Sequence, residues 1–153
     1  NLANKLAVIV DDIQDNHAVV NGFCELWGIT TINFYKPSDA IQWFAEQRLT
    51  TQQVDFLVLD FSMPEMDGIQ LFERLVPYLK SKTKTLMLSS IDDDKITQRC
   101  YQLGFIDVLF KPVLEEKLAQ SFCKKSNAIT IEENTKQSQL LEQTLILRLL
   151  NNT

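Results

Sequence analysis

The sequence has too few cysteine and histidine residues for a disulfide framework or a zinc site. Its three cysteines, Cys24, Cys100 and Cys123, are odd in number and far apart, and His17 is the only histidine. Small secreted proteins and zinc domains carry more of these residues at short, regular spacings. The composition therefore favours a protein of the reducing cytoplasm.

Long apolar runs, a signal peptide and an excess of basic residues are also missing. No apolar stretch approaches the roughly 18 residues needed to cross a membrane, and the first residues lack a secretory pattern. The 15 Lys and Arg residues are outnumbered by 20 Asp and Glu residues, for a formal net charge of -5. Because nucleic-acid-binding surfaces need clustered positive charge, the composition argues against direct binding of nucleic acid or membrane. Cations are the expected small partners.

What remains is the composition of one ordinary globular domain. The 153 residues are 45% hydrophobic and 23% charged, without repeats or low-complexity segments. The chain starts without Met and closes on an apolar segment, which suggests a piece of a longer protein.

The most informative stretch is 54–68, VDFLVLDFSMPEMDG, in which an apolar run ends abruptly on Asp60 and gives way to a loop. The continuous apolar run predicts a strand that is covered on both faces of a parallel sheet. Leu6–Val10 repeats the pattern and is followed by Asp11 and Asp12. Two strands are thus expected to deliver carboxylates to the same edge of the sheet.

The rest of the chain alternates between short apolar runs, which predict strands, and longer stretches with helical spacing of apolar residues. Further strands are predicted over residues 31–35, 85–88 and 106–110. Apolar positions three and four residues apart predict a helix after every strand, and Ser38 and Asp39 are expected to cap the second of these helices. Five strands alternating with five helices indicate the α/β class, with a doubly wound parallel sheet.

Five polar side chains fall at or directly after predicted strand ends: Asp11, Asp12, Asp60, Ser89 and Lys111. Three neighbouring carboxylates repel one another, so they must either take up protons or bind a cation. Oxygen ligands at an open, hydrated site favour Mg²⁺. A carboxylate nucleophile, a metal ion, a lysine and a hydroxyl are the components of phosphoryl transfer.

Four segments, in this order and at these separations, resemble the receiver domains of response regulators in two-component signalling. They are VDD at 10–12, LDFSMPEMDG at 59–68, LSS at 88–90 and FKP at 110–112. The resemblance implies a flavodoxin-like, five-stranded sheet of order 2-1-3-4-5. It also implies a receiver domain over residues 1–125. Residues 126–153 are expected to form a linker and a C-terminal connector or dimerisation helix.

The resemblance implies that Asp60 is the phospho-acceptor of a phosphorelay. The phosphoryl group would come from a sensor histidine kinase or a phosphotransfer protein, and an output domain or effector protein would respond. Asp12, Asp60 and the backbone carbonyl of Ser62 would bind Mg²⁺, or Mn²⁺ in its place. Asp11 would assist the metal through water.

Ser89 matches the family's switch hydroxyl, and Lys111 matches the lysine that pairs with the phosphoryl group. The Lys111–Pro112 peptide bond is expected to be cis, as is usual in the family. Val108 departs from the pattern, since a Tyr or Phe usually stands there and swings inward on activation. Phe110 is a poor substitute because it alternates to the other face of the strand.

Structural interpretations stand beside these functional ones. Asp12 could cap the first helix, and Ser89 could serve only in a turn. His17 is expected to be an ordinary surface residue on the first helix, away from the acids.

Three classes of function stay open. The leading one is a binding module controlled by its own phosphorylation, which is not a turnover enzyme. An Asp-nucleophile phosphohydrolase would need a general acid two residues after the nucleophile, where Ser62 is unsuited. A pseudo-receiver scaffold would not respond to phosphoryl donors.

A sixth helix is predicted beyond the family match. Thr130 and Glu133 have capping-box spacing, so the helix should begin near Ile131. Its second half carries apolar residues on nearly every side, which a lone solvated helix does not tolerate. We expect it to pack on another chain or on the receiver, with a homodimer preferred because five helices already cover the sheet.

Overall fold

The computed structural model describes residues 1–47, 53–125 and 131–151. Its strands are β1 (Leu6–Val10), β2 (Thr30–Phe34), β3 (Phe56–Asp60), β4 (Lys84–Ser89) and β5 (Asp107–Phe110). They form one parallel sheet in the order β2-β1-β3-β4-β5. The predicted fold class and strand order are confirmed.

The helices are α1 (Gln14–Leu26), α2 (Pro37–Gln47), α3 (Gly68–Leu75), α4 (Asp94–Leu103), α5 (Glu115–Cys123) and α6 (Ile131–Asn151). A short 3-10 helix at Val76–Tyr78 directly follows α3 and contains Pro77. Because proline has no N–H and its ring clashes with the preceding turn, α3 does not continue through this residue. Among the described residues, no helix combines the length and the hydropathy that a membrane span requires.

The core lies on both faces of the sheet, because successive strand residues point to opposite sides. On one face, Val8 and Leu57 pack with buried residues of α2, α3 and α4. On the other face, Ile9 and Val58 pack with buried residues of α1 and α5. Burial on both faces explains why the central strands are continuously apolar.

The loop after β3 is held close to the strand it leaves. Asp67 caps α3 by accepting a hydrogen bond from the Gln70 N–H, and the Gln70 side chain accepts one from the Asp67 N–H. A Cβ on Gly68 would lie 2.7 Å from the Asp60 carbonyl oxygen and 2.7 Å from the Met87 sulfur. Only glycine lets α3 begin this close to the end of β3.

The second helix begins differently from the prediction. Pro37 is already its first residue, a position where the missing N–H of proline costs nothing. Ser38 therefore lies inside the helix, and its hydroxyl donates to Glu65 in the loop after β3. Asp39 lies inside the helix as well, so the predicted cap at Ser38 and Asp39 is wrong. Leu49, the last apolar residue in the predicted pattern of this helix, lies outside the described residues.

The sixth helix begins at Ile131 as predicted, whereas Thr130 and the linker at 126–130 lie outside the described residues. Seven apolar side chains in its second half are 55–69% exposed: Leu140, Leu141, Leu145, Ile146, Leu147, Leu149 and Leu150. This part of α6 is therefore not buried against the receiver.

Candidate functional site

The predicted acids converge at the carboxyl edge of the sheet. Val10 of β1 pairs with Leu59 of β3, so the next residues, Asp11 and Asp60, lie side by side. Carboxylate oxygens of Asp11, Asp12 and Asp60 all lie within 4.8 Å of one another. Asp11 and Asp60 are buried, and Asp12 is more exposed.

Lys111 joins two of these acids from the end of β5. Its Nζ donates to Asp60 Oδ1 at 2.8 Å and to Asp11 Oδ2 at 3.2 Å, and its side chain is 15% exposed. Burial opposes the charged lysine, but the hydrogen bonds and negative charges of the two acids outweigh it. The pKa of Lys111 therefore lies above its ordinary value, and the lysine is a cation at this site.

The pKa of Asp60 is raised, which favours the neutral acid. Burial raises its pKa from 3.8 to about 6, the hydrogen bond from Lys111 opposes the shift, and the negative charge of Asp11 adds to it. The carboxyl is thus mostly ionised above a pH of about 6 and available as a nucleophile near neutral pH.

Asp11 and Asp12 differ in how their oxygens are used. Asp11 Oδ1 accepts from the Ile13 N–H at 2.9 Å and from the Asn16 amide at 3.2 Å. Asp12 Oδ1 is buried and has no hydrogen-bond partner among the described residues. Since a buried, unpaired carboxylate oxygen is costly, the residues present fit a hard cation such as Mg²⁺.

Ser89 and Ser62 are placed near the acids but do not bond to them in this structure. Ser89 is buried at the end of β4, and its hydroxyl donates to the Ile91 carbonyl and accepts from the Ile91 N–H, both at 3.0 Å. The Lys111 N–H donates to the Ser89 carbonyl at 2.9 Å. Ser62 follows Asp60 by two residues in the loop after β3, and its role as a ligand stays a prediction.

The residues next to Lys111, in β5 and directly after it, have the conformations that the sequence predicts. The Lys111–Pro112 peptide bond is cis. Val108 is buried, whereas Phe110 is 44% exposed and points away from the core. No aromatic side chain therefore stands in the usual switch position, and Phe110 does not replace it.

His17 is the residue that sequence reasoning placed wrongly. It is buried at 1% exposure, and its ring bonds to the backbone carbonyl of Asp11. The signal was present in the sequence, because His17, Val20 and Cys24 follow the spacing of one helix face and all three are buried. For His17, the position on this helix face indicates burial better than the polarity of the side chain does.

Comparison with known proteins agrees with this geometry. The family model described as the response regulator receiver domain matches residues 7–122. The probable chemotaxis protein CheY of Rhizobium etli is 32% identical over 121 residues, which cover 76% of this chain and 89% of that protein.

Another relative is the cyclic di-GMP phosphodiesterase response regulator RpfG of Xanthomonas campestris, 32% identical over 146 residues. That match covers 91% of this chain but only 36% of RpfG. The fold matches the CheX-CheY-BeF3-Mg complex of Borrelia burgdorferi with a TM-score of 0.68 at 20% identity, covering 78% of this chain and 87% of that chain. The family match and the Rhizobium relative show that this chain belongs to the response-regulator receiver domains.

Proposed function

We propose that this receiver domain accepts a phosphoryl group on Asp60 in a Mg²⁺-dependent reaction, and that phosphorylation changes its binding to an output domain or effector protein. The donor would be a phosphohistidine of a sensor histidine kinase or of a phosphotransfer protein. One observation carries the proposal: Lys111 holds Asp60 Oδ1 at 2.8 Å, beside an oxygen of Asp12 that has no hydrogen-bond partner among the described residues.

In the proposed step, a carboxylate oxygen of Asp60 forms a bond to phosphorus while the bond from phosphorus to the histidine nitrogen breaks. The nitrogen keeps the electron pair, and Asp60 becomes an acyl phosphate. Lys111 orients the attacking carboxylate and supplies positive charge where the phosphoryl oxygens arrive. Asp11, Asp12 and Asp60, with the Ser62 carbonyl, would hold Mg²⁺, or Mn²⁺ in its place, which neutralises charge on the transferred group.

The response would pass through Ser89. To donate to a phosphoryl oxygen, its hydroxyl must give up its two hydrogen bonds with Ile91. That exchange would move the loop between β4 and α4 and so alter the surface that a partner sees. With Val108 in the strand, the change would proceed without an inward-moving aromatic side chain.

The proposal extends to the organisation of the chain. Residues 1–125 would form the receiver and residues 126–153 a linker and connector helix. The exposed apolar side chains of α6 would pack on another chain, in a homodimer or against an output domain. The three unpaired cysteines fit a cytoplasmic setting for this signalling module.

The test is the intact mass of the chain after incubation with acetyl phosphate, with Mg²⁺ or with EDTA. We expect an acid-labile phosphate on the wild type only when Mg²⁺ is present, and none on Asp60→Asn. Asp55→Asn is the matched control, because Asp55 precedes the same strand at its opposite end.

The other outcomes separate the alternatives. A wild type that gains no phosphate would indicate the pseudo-receiver scaffold. Continuous release of inorganic phosphate from small esters would indicate the phosphohydrolase. Equal labelling of wild type and Asp60→Asn would show that the acceptor lies elsewhere.

A further inference from the structure

His17 is a buried polar residue in the first turn of α1, next to the acid site but outside the set of acids. Its Nε2 lies 2.7 Å from the carbonyl oxygen of Asp11. A backbone carbonyl can only accept a hydrogen bond, so Nε2 carries the hydrogen. The side chain therefore donates directly to the backbone of a candidate metal-site residue.

The other side of the ring is fixed by one residue of β2 and one that directly follows this strand. His17 Nδ1 lies 2.6 Å from the side-chain amide of Asn33, and the ring centroid lies 4.4 Å from that of Tyr35. Because Nε2 carries the hydrogen, Nδ1 of the neutral ring accepts, and the amide completes this hydrogen bond by turning its N–H toward the ring. With both nitrogens bonded and one ring face covered, the imidazole has little freedom to move.

The hydrogen bond from His17 fixes the Asp11 carbonyl, and the direction of this carbonyl affects the position of Asp12. The Asp11 N–H donates to the Phe34 carbonyl at 3.1 Å, which fixes the peptide group before Asp11. The His17 bond fixes the peptide group after it. Because a peptide group is planar, the direction of the Asp11 carbonyl also sets the direction in which the chain enters Asp12.

We propose that His17 is a positioning residue for the acid site: its hydrogen bond to the Asp11 carbonyl aims the Asp12 carboxylate at the place where the cation is held. The inference rests on the proposed function, because it presumes that this site binds Mg²⁺. Residues that orient metal ligands are typically worth about 10–100-fold in metal affinity. Loss of this one hydrogen bond should weaken Mg²⁺ binding by about tenfold, at the lower end of that range.

Two amide variants isolate the donor. In His17→Gln, the amide nitrogen can reach the position of Nε2 and keep the bond to Asp11. In His17→Asn, the shorter side chain reaches only the Asn33 side. His17→Leu fills the space with no donor, and Val20→Ala removes buried atoms one turn further along the same face of α1.

Each variant is titrated with Mg²⁺ while the backbone amide shifts of Asp12 and Asp60 are followed by NMR, and its stability is measured by denaturant unfolding. We expect His17→Asn and His17→Leu to bind Mg²⁺ about tenfold more weakly than wild type. His17→Gln should bind within about threefold of wild type, and Val20→Ala should lose stability but keep its affinity.

Equal affinity in wild type, His17→Asn and His17→Leu would overturn the role given to His17 and leave the proposed function intact. A His17→Gln variant as weak as His17→Leu would also overturn it, since the donor would then not be what matters. If the wild type itself shows no shift at Asp12 or Asp60 with Mg²⁺, the proposed function fails and the inference fails with it.

Discussion

Replacing Lys111 by Met should destabilise the metal-free protein by about 3 kcal/mol at a pH of about 7.5. Methionine keeps the unbranched length of the side chain and removes its charge. The acids that Lys111 joins then lose their common partner while they remain buried at 2–3% side-chain exposure.

The magnitude follows from the two short contacts. At an effective dielectric constant of about 20, charges 2.8 Å apart attract by about 6 kcal/mol, and charges 3.2 Å apart by about 5 kcal/mol. Removing water from the ammonium group offsets several kcal/mol of this attraction. Loss of one partner from a buried pair typically costs roughly 3–5 kcal/mol, whereas loss of an exposed pair costs at most about 1 kcal/mol.

The pH dependence has a definite sign. Folding raises the pKa of Asp60 to about 6, so protonation of Asp60 favours the folded state. Its stabilising contribution is complete at low pH and is lost as the pH rises through about 6. Lys111 is needed most where Asp60 is ionised, so the difference between Lys111→Met and wild type should shrink below that pH.

The assay is urea unfolding of wild type and Lys111→Met in EDTA, once at a pH of about 7.5 and once below a pH of about 6. The measurements are then repeated with Mg²⁺ in place of EDTA, which should restore part of the stability that Lys111→Met has lost. Lys124→Met is the matched control, because Lys124 also donates at 2.8 Å to a carboxylate, that of Asp107, but its side chain is 47% exposed. It should lose about 1 kcal/mol or less, without a response to Mg²⁺. If Lys111→Met is as stable as wild type near pH 7.5 in EDTA, the charge balance inferred for this site is wrong.

Four further outcomes are expected. Lys111→Ala should keep the fold by circular dichroism but lose the NMR shifts that beryllofluoride causes in β4, β5 and α4, and a response like that of wild type would contradict its role. Calorimetry should show that Mg²⁺ affinity falls as the pH drops through about 6, because Asp60 takes up a proton, and a constant affinity would count against Asp60 as a ligand. Light scattering at micromolar concentrations should show a dimer for the whole chain and a monomer for a chain ending at Lys125, so monomers in both cases would rule out the homodimer. Gly68→Ala should cost about 1–3 kcal/mol because its Cβ would meet the Asp60 carbonyl, whereas Gly22→Ala, whose Cβ would meet nothing within 4 Å, should not destabilise the protein.

The sheet and its acid edge could be predicted because each depends on a short local pattern. The apolar runs before Asp11 and Asp60 specify strands buried on both faces, and parallel pairing then brings the two acids together. Contacts between distant parts of the chain could not be predicted in this way. The sequence does not show that Ser38 donates to Glu65, 27 residues away, and this contact accompanies a helix that starts earlier than predicted.

His17 illustrates a second limit of sequence reasoning. Its helical spacing indicated a buried face, but burial of a histidine depends on partners that lie elsewhere in the sequence. The Asp11 carbonyl and the Asn33 amide provide them, and neither can be identified before the fold is known. The partner of α6 is harder still to predict, because the exposed fractions of 55–69% for seven of its apolar side chains do not indicate what would cover them.

The most direct test of the central claim is the position of the phosphoryl group. After incubation with acetyl phosphate and Mg²⁺, borohydride reduction of an acyl phosphate converts the modified aspartate to homoserine, which peptide mass spectrometry can locate. We predict homoserine at position 60 alone, and only when both acetyl phosphate and Mg²⁺ are present. Homoserine at Asp11 or Asp12, or an unmodified residue 60 in a chain that carries phosphate, would contradict the account.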